Sequence, residues 1–512
     1  MNTKTKQIKK NKGTDKSRYI TYIIIGIILV SIFYFVFYYK SFSFNSKIDE
    51  CPDIINHISL YKYISYSIRG SSINGTDLNN YQFEYDTCHL YYLSEPIGNF
   101  TLYLTGNITN ASVLAPVNIY DGMLFVPLSS PSPNPNNISN FSSNYLFWGG
   151  VLAANSITGM QVWVKKFPDQ IMTQPLVVKG LLYVGLGSAY GSYYKGKSSN
   201  GNTIGISGLN GIAALNATTG NVVWYDPTIV SHMASFVYYN GSIIVVPGAG
   251  LGKDSIFLYD LNATTGKQEW YTFIGGYSAM SSPVFFNGNI YFGAAEVSNY
   301  PEFVGNNSTN LLTYNDTFFA LNLSTKKIIW SFQFNSSDGT QDNSPIYYNG
   351  IIVTGFDPLY KLSNNPANVI ITTNLAAFNA SNGKILWRFN EGNGKQNIYI
   401  NLPPLTAYNG TVYSDTVSVG KLYAINITTG KADWSFYTGA TSANANVYKN
   451  HIFISNDNGT LFVLNTNGTL YKKFNFGIGG GPENLAFIGN NILIYGLGNR
   501  IISMPVSKLL AS

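Results

Sequence analysis

A short phrase that ends in tryptophan recurs along this chain of 512 residues, and it constrains the fold more than any other feature. Each copy runs from a small or apolar residue through Asn or Asp, two or three polar residues and Gly to the Trp. Six of the seven tryptophans occupy this position, and a seventh copy ends in Tyr. Such self-similarity predicts one structural unit repeated along the chain. The copies end at Trp163, Trp224, Trp270, Trp330, Trp387, Trp434 and Tyr471.

Each copy predicts a β-hairpin, because the Asn, Thr and Gly residues in its middle favour a tight turn. A second hairpin precedes most copies and often turns at Asn-Gly, as in VYYNGSIIVV (237–246) and TAYNGTVYSD (406–415). Two hairpins give a four-stranded sheet that cannot bury both of its faces alone. The Trp then fills the space between neighbouring sheets. The sequence therefore predicts an all-β fold, a β-propeller.

The number of repeats predicts eight blades, with seven as the alternative. After Tyr471, the remaining segment 483–506 supplies only three strands. A fourth strand from residues 99–106, before the first blade, would complete the last sheet and remove its open edge. We therefore place the propeller at 99–512, after a linker at 40–98. Insertions at 187–207 and 296–313 are expected to project from a face of the disc.

The N-terminal sequence predicts a membrane anchor that is preceded by a basic tail. Residues 1–18 hold seven of the 31 basic residues and one of the 25 acidic residues. Residues 19–39 carry no charge and have the length of a transmembrane helix. Because positive residues stay in the cytoplasm, the propeller is expected outside the cell membrane. A cleaved signal peptide, which would release a secreted protein, is the alternative.

Features beyond residue 39 agree with an extracytoplasmic location. Many Asn-x-Ser/Thr triplets occur there, which predicts a glycoprotein. Cys51 and Cys88 are the only cysteines, and they either form one disulfide in an oxidising compartment or remain two thiols. Charged residues are only 11% of the chain, so neutral polar groups solvate the surface. Such a surface suits an acidic medium, although compositional drift explains it equally well. Nothing indicates a nucleic-acid partner.

The phrase resembles the repeat of the quinoprotein, or PQQ-like, propellers over about 113–505. That resemblance implies the fold but not one function, since such propellers include enzymes, scaffolds and binding modules. Quinoprotein dehydrogenases hold their quinone beneath adjacent, disulfide-linked cysteines, whereas Cys51 and Cys88 are far apart. The four histidines form no pair at metal-ligand spacing. We therefore expect no quinone, no metal and no other cofactor.

Candidate site residues lie where the innermost strands begin, around the mouth of the central channel. Aligned on a Ser-Pro pair, Asp342 takes the position of Met280, so one blade places a carboxylate there. Asp338 precedes it, and Glu483 marks the last blade. A single acid in a weakly hydrated mouth would have a raised pKa and act as a proton donor. The alternative is that Asp342 caps the turn before its strand.

A large extracytoplasmic propeller with few charges and one channel acid resembles the tetrathionate hydrolases of sulfur-oxidising acidophiles. That resemblance implies hydrolysis of tetrathionate to thiosulfate, sulfur and sulfate, with a small anionic sulfur substrate. The blade positions then suggest Asp342 as the catalytic acid, and Tyr277, Asp338 and Glu483 as substrate-binding residues. The rival is a non-catalytic, membrane-anchored scaffold or binding propeller with a protein partner. Assembly as a homodimer is left open.

Overall fold

The structure is a computed structural model. The residues that it describes all belong to the unit Cys51–Ser512, and they are 92–93, 96–109, 111–113, 115–130, 148–187, 196–197, 203–204, 211–227, 234–246, 257–274, 282–294, 314–315, 317–334, 337–338, 344–361, 370–395, 404–416, 419–439, 444–456, 458–476, 484–497 and 500–511.

Seven four-stranded antiparallel sheets, blades 1 to 7, follow one another along the chain. We call the strands of each blade a to d in chain order. The a strands lie side by side between blades 1 and 2, 4 and 5, 5 and 6, and 7 and 8, so the a strands are the inner strands of the ring. The strands a to d are Asn118–Tyr120, Met123–Ser129, Gly149–Asn155 and Gln161–Phe167 in blade 1; Leu176–Val178, Leu181–Leu186, Gly211–Asn216 and Val222–Asp226 in blade 2; Val237–Tyr239, Ser242–Val245, Phe257–Asn262 and Gln268–Phe273 in blade 3; Val284–Phe286, Asn289–Ala294, Thr317–Asn322 and Lys327–Gln333 in blade 4; Ile346–Tyr348, Ile351–Lys361, Ile370–Asn379 and Ile385–Lys395 in blade 5; Thr406–Tyr408, Thr411–Asp415, Lys421–Asn426 and Ala432–Tyr437 in blade 6; and Asn446–Tyr448, His451–Ser455, Thr460–Asn465 and Leu470–Asn475 in blade 7.

Blade 8 combines the two ends of the propeller, which confirms the predicted eight blades. Its a, b and c strands are Asn484–Ile488, Asn491–Leu497 and Arg500–Pro505. Phe100–Tyr103 pairs antiparallel with the c strand and is the outer d strand. Tyr92–Leu93 adds a fifth strand, parallel to the a strand. A 3-10 turn at Gly106–Ile108 and a helix at Val506–Leu510 flank this sheet.

A buried apolar cluster fills each interface between consecutive blades. Ring closure is visible in the cluster that joins Leu493 and Ile501 of blade 8 to Ile119 and Leu152 of blade 1. Successive residues of the b and c strands are buried, so both faces of these strands are covered, whereas most residues of the outer d strands are exposed or half-buried. The interfaces therefore form one closed ring of core, in which each of the eight described blades packs against both of its neighbours.

The recurring Trp joins neighbouring blades through two contacts. Trp224 belongs to blade 2, and its indole N–H donates to the carbonyl of Ala263 in blade 3 at 2.9 Å. Its ring also lies against Gly266, where an added Cβ would approach to 2.5 Å. Gly266 holds φ +71°, so the phrase needs glycine both for the turn and for the space. The same indole hydrogen bond is made by Trp163, Trp330, Trp387 and Trp434.

Three interfaces depart from this pattern. In blade 4, Lys326 replaces the turn glycine at φ 57°, facing Trp270. In blade 8, Phe100 substitutes for the Trp, and the turn Gly159 of blade 1 lies on its ring. Tyr471 of blade 7 donates its hydroxyl to the carbonyl of Leu510 at 3.0 Å. The C-terminal helix therefore takes the place of a c–d turn in blade 8.

Strand direction gives the propeller two different faces. The a–b and c–d hairpins turn at one face, which we call the hairpin face. The b–c and d–a connections start and end at the other, which we call the connection face. The a–b hairpins of blades 3 to 6 turn at Asn-Gly as predicted, and left-handed residues at both central positions, such as Asn240 and Gly241, make these type I′ turns. Across the described part of the chain, no helix has the length and apolar character needed to cross a membrane, and residues 19–39 fall outside it.

Candidate functional site

In the sequence, each predicted site residue follows the outer strand of one blade and precedes the inner strand of the next. Tyr277 lies between blades 3 and 4 in the sequence, Asp338 and Asp342 between blades 4 and 5, and Glu483 between blades 7 and 8. Tyr277, Asp342 and Glu483 are outside the described residues, as are Cys51 and Cys88. Their catalytic, binding and disulfide assignments therefore stay predictions.

Asp338 is the predicted residue whose backbone is described. Ser337–Asp338 forms a short strand that pairs in parallel with Tyr314–Asn315, so that Asp338 stands opposite Asn315. Tyr314 follows directly on the blade 4 insertion at 296–313. The end of this insertion is thus joined to the connection that carries Asp338 and, four residues later, Asp342. The backbone at Tyr314–Asn315 and the backbone at Ser337–Asp338 therefore lie side by side.

Serine residues fix the entries of the inner strands in an arc that spans blades 2 to 5. The Ser235 hydroxyl accepts the backbone N–H of Gln174 at 3.0 Å. The Ser282 hydroxyl accepts the N–H of Ser235, and the Ser344 hydroxyl accepts the N–H of Ser282, both at 3.0 Å. All four residues are buried. Ser344 comes two residues after Asp342, so the arc anchors the chain beside the predicted acid.

The sequence contained a signal for this arc. Each of its serines, like Gln174, stands two residues before an inner strand, and Pro follows three of the four positions. The Ser-Pro pair served to align the blades, but the role of its hydroxyl was not predicted. Each of these hydrogen bonds joins a backbone N–H to a side chain of the next blade. The role of the hydroxyl therefore becomes visible only when the blades are packed together.

Asp169 is a buried carboxyl group that sequence reasoning missed. It lies in the d–a connection from blade 1 to blade 2 and is fully buried. Its Oδ1 accepts the backbone N–H of Gln170 at 2.7 Å, whereas its Oδ2 has no hydrogen-bond partner among the described residues. Burial raises the pKa of Asp169 to about 6, and the bond from Gln170 offsets only part of that effect.

Glu391 is a second buried carboxyl group, in a β-bulge on the outer strand of blade 5. It is 1% exposed, and no described basic side chain forms an ion pair with it. Burial therefore raises the pKa of Glu391 to about 7. The hydroxyls of Ser414 and Thr373 face the carboxyl and lower that pKa in part, but neither reaches full hydrogen-bond geometry. The Tyr423 hydroxyl donates to the Glu391 backbone carbonyl at 2.6 Å.

These two acids show what the interior of this propeller does to a carboxyl group. Both hold their proton at pH values at which a solvated Asp or Glu is ionised. Neither had a sequence signal, because burial of a single acid depends on how blades pack. A carboxylic acid kept neutral in this way can donate a proton or a hydrogen bond.

The residues present do not fit a quinone site of the dehydrogenase type. The two cysteines stand 37 positions apart and precede the blades, so the adjacent pair is missing from the sequence. Within the described ranges, no three His, Cys, Asp or Glu side chains gather as ligands for a metal ion.

The fold and repeat define a class, the quinoprotein-like propellers. The chain belongs to the family whose model is described as outer membrane protein assembly factor BamB, which matches residues 141–296 and 295–477. It is 26% identical over 372 residues to a tetrathionate hydrolase of Acidithiobacillus ferrooxidans, covering 70% of this chain and 69% of that protein. It is 29% identical over 209 residues to the quinoprotein alcohol dehydrogenase PedH of Pseudomonas putida, covering 38% of this chain and 30% of that protein.

The crystal structure of BamB from Moraxella catarrhalis has the same fold. The superposition has a TM-score of 0.50 at 13% sequence identity and covers 80% of this chain and 97% of BamB. At that identity, the likeness concerns the fold alone. The family and the fold are thus established, and the choice between catalysis and scaffolding is a separate question.

Proposed function

We propose that this protein hydrolyses tetrathionate in acid, outside the cytoplasmic membrane and without a quinone. The similarity to the Acidithiobacillus ferrooxidans tetrathionate hydrolase carries this proposal, because it extends over 70% of the chain. The buried carboxyls Asp169 and Glu391 support it, since a propeller that keeps carboxyl groups protonated suits an acidic medium.

In the proposed reaction, Asp342 is the proton donor. Water adds to one sulfur of the bond that breaks, and the electron pair of the S–S bond leaves on the other sulfur. The Asp342 carboxyl protonates that leaving sulfur, and water restores its proton. When the attacked sulfur is a terminal sulfonate, that half becomes sulfate and the other half is a disulfane monosulfonate. The terminal sulfur of this fragment then leaves as elemental sulfur, and the bonding electron pair stays on thiosulfate. Overall, tetrathionate and one water give thiosulfate, sulfur, sulfate and two protons. Neutral hydrogen-bond donors suit the dianionic substrate, and we assign this role to Tyr277 and, when protonated, to Asp338 and Glu483.

The test is thiosulfate release from tetrathionate by the purified full chain between about pH 1 and pH 7. We expect activity in acid and its loss, by about 100-fold or more, in Asp342→Asn, which keeps the shape but cannot donate the proton. Asp433→Asn, an exposed acid on blade 6, is the matched control and should keep full activity. If Asp342→Asn keeps its activity, the protein is still a tetrathionate hydrolase, but Asp342 is not its proton donor.

The proposed location has its own test. Residues 19–39 are the membrane anchor in this proposal, with the N-terminus in the cytoplasm and Cys51 and Cys88 joined in a disulfide. Protease added to intact cells should digest the propeller, and thiol labelling should require prior reduction. Protection of the propeller in intact cells would refute the location without affecting the hydrolase assay.

A scaffold is the second candidate, because the family model is described as an outer membrane assembly factor. It would bind a protein partner, and a well-folded chain would release no thiosulfate at any pH. Cross-linking in intact membranes, followed by identification of the cross-linked protein, would then be the deciding experiment.

A further inference from the structure

Seven Asn-x-Ser/Thr triplets on the hairpin face fall into two structural settings. Two more, at Asn99 and Asn467, have an Oδ1 that accepts a hydrogen bond and belong to neither set. One set belongs to the c–d turns and to the recurring phrase itself. We call these the repeat-turn asparagines: Asn216, Asn262, Asn322, Asn379 and Asn426. The other set, Asn240 and Asn409, belongs to the a–b turns, and we call them the inner-turn asparagines. The two sets have the same triplet but opposite surroundings.

The repeat-turn asparagines are used by the fold. The Oδ1 of Asn216 accepts the backbone N–H groups of Thr218 at 3.0 Å and Thr219 at 2.9 Å. The middle residue of the triplet, Ala217, is buried and accepts the indole N–H of Trp163. In this triplet, Asn216 and the Thr residue therefore form an Asx turn, and the turn positions the Ala217 carbonyl for its contact with the neighbouring blade.

The amide nitrogen is also engaged in two of these turns. The Nδ2 of Asn262 donates to Oε1 of Glu269 at 2.8 Å. The Nδ2 of Asn322 donates to Oδ1 of Asn289, also at 2.8 Å. Nδ2 is the atom to which an N-linked glycan is attached, and all five repeat-turn asparagines are half-buried. A bulky sugar there would displace contacts that the turn requires.

The inner-turn asparagines have free space around them. Asn240 and Asn409 are exposed and hold left-handed φ angles of 47° and 48°. The next residue is glycine in both turns, and a Cβ added at Gly241 or Gly410 would meet no atom within 4 Å. Among the described residues, neither Asn side chain is held by a hydrogen bond. A sugar on either amide would therefore point into solvent.

We infer that Asn240 and Asn409 carry N-linked glycans and that the repeat-turn asparagines do not. The donor is a sugar linked through a diphosphate to a membrane lipid, brought by a transferase. The Asn Nδ2 forms a bond to the anomeric carbon and loses one proton, while the bond from that carbon to the diphosphate oxygen breaks. This inference rests on the extracytoplasmic location proposed above. It places these two sugars on the hairpin face.

Blade 5 supplies a matched control for blade 6. Asn349 holds the same turn as Asn409, with φ 48° and a following glycine, but Ile351 stands where blade 6 has the hydroxyl of Thr411. The reciprocal variants Ile351→Thr and Thr411→Ile therefore exchange the triplet between two turns of equal geometry. Each substituted residue already occurs at that position in the neighbouring blade, so both variants should fold.

The experiment is glycopeptide mass spectrometry on the full chain purified from the cells that produce it. We expect sugar on Asn240 and Asn409, loss of one glycan in Thr411→Ile and gain of one, on Asn349, in Ile351→Thr. Sugar on the repeat-turn asparagines, or bare asparagines at both 240 and 409, would overturn the inference. If the chain carries no sugar, the protease test separates a wrong location from an unmodified extracytoplasmic surface, and the thiosulfate assay stays independent of both.

Discussion

The ammonium group of Lys326 lies 5.5 Å from the centre of the Trp270 ring, at the turn position where glycine faces Trp in other blades. The same nitrogen lies 3.2 Å from Oδ2 of Asp260, which is nearly buried and pairs across the sheet with Trp270. The interface between blades 3 and 4 is thus held by a cation between a ring and a carboxylate. At this turn, the charged Lys326 side chain packs against the Trp ring, whereas a glycine does so at the equivalent turn of other blades.

We predict that Lys326→Met lowers the free energy of unfolding by about 2 kcal/mol, because it removes the partner of a nearly buried carboxylate. Paired with Asp260→Asn in a double-mutant cycle, it should show a coupling of about 1 kcal/mol, since the lysine is partly exposed. Lys267→Met, on an exposed turn, is the control. Denaturant unfolding measures all four variants, and a coupling near zero would refute the ion pair's contribution.

Gly266→Ala should be far more damaging than Gly241→Ala. Both glycines hold positive φ, at +71° and +91°, so both substitutions add backbone strain of about 1 kcal/mol. Only at Gly266 does the new Cβ also meet the Trp224 ring, at 2.5 Å. That overlap should cost about 2 kcal/mol more. Equal losses of thermal stability in the two variants would contradict the proposed packing role of the phrase.

Glu391 should make the propeller more stable in acid. Its pKa rises from 4.5 to about 7 on folding, so between these values the folded state binds more protons than the unfolded state. Stability is therefore greatest below about pH 4.5 and falls as the pH rises towards 7, by about 3 kcal/mol in total. Glu391→Gln should remove this slope, whereas Asp433→Asn should leave it unchanged. Denaturant titrations at several pH values measure the effect, and an unchanged slope in Glu391→Gln would exclude this residue as its source.

Ser282→Ala should weaken the ring at the inner strands. The variant leaves the buried N–H of Ser235 without its acceptor, which costs about 1–3 kcal/mol. The exposed Ser331→Ala on the outer strand of blade 4 is the control and should change stability by less than about 0.5 kcal/mol. Amide hydrogen exchange at Ser235 gives a local readout, since the loss of its acceptor should speed exchange there. Unchanged exchange would mean that another group accepts this N–H.

The blades were predictable because their signals are local. Two patterns show this, and each lies within about a dozen residues of sequence. One is the Asn-Gly turn at Asn240 and Gly241, and the other is the Trp at a fixed distance from a turn glycine. The closing strand Phe100–Tyr103 was also predictable, because a sheet of three strands requires a fourth. What the sequence did not reveal is that Phe100 itself replaces the Trp against Gly159.

The site was less predictable, because its chemistry depends on contacts between distant blades. The bond between Ser235 and Gln174 joins residues 61 positions apart, and nothing near either residue indicates it. Glu391 occurs in a polar stretch, NEGNGK, that reads as a solvated turn. Only the packing of blade 6 against blade 5 buries its carboxyl group. The prediction for Asp342, by contrast, rests on alignment alone and awaits the assay described above.

The pairing of Phe100 with Ser503 in blade 8 also sets the order of events during biogenesis. The outer strand is among the first parts of the propeller to leave the ribosome, and its partner is among the last. It must wait, with an unsatisfied backbone edge, while seven other blades are synthesised. Chains that stop before Arg500 would keep both edges open and invite association with other strands. Closure of the propeller is therefore a late step, in which the strand Phe100–Tyr103 pairs with Arg500–Pro505.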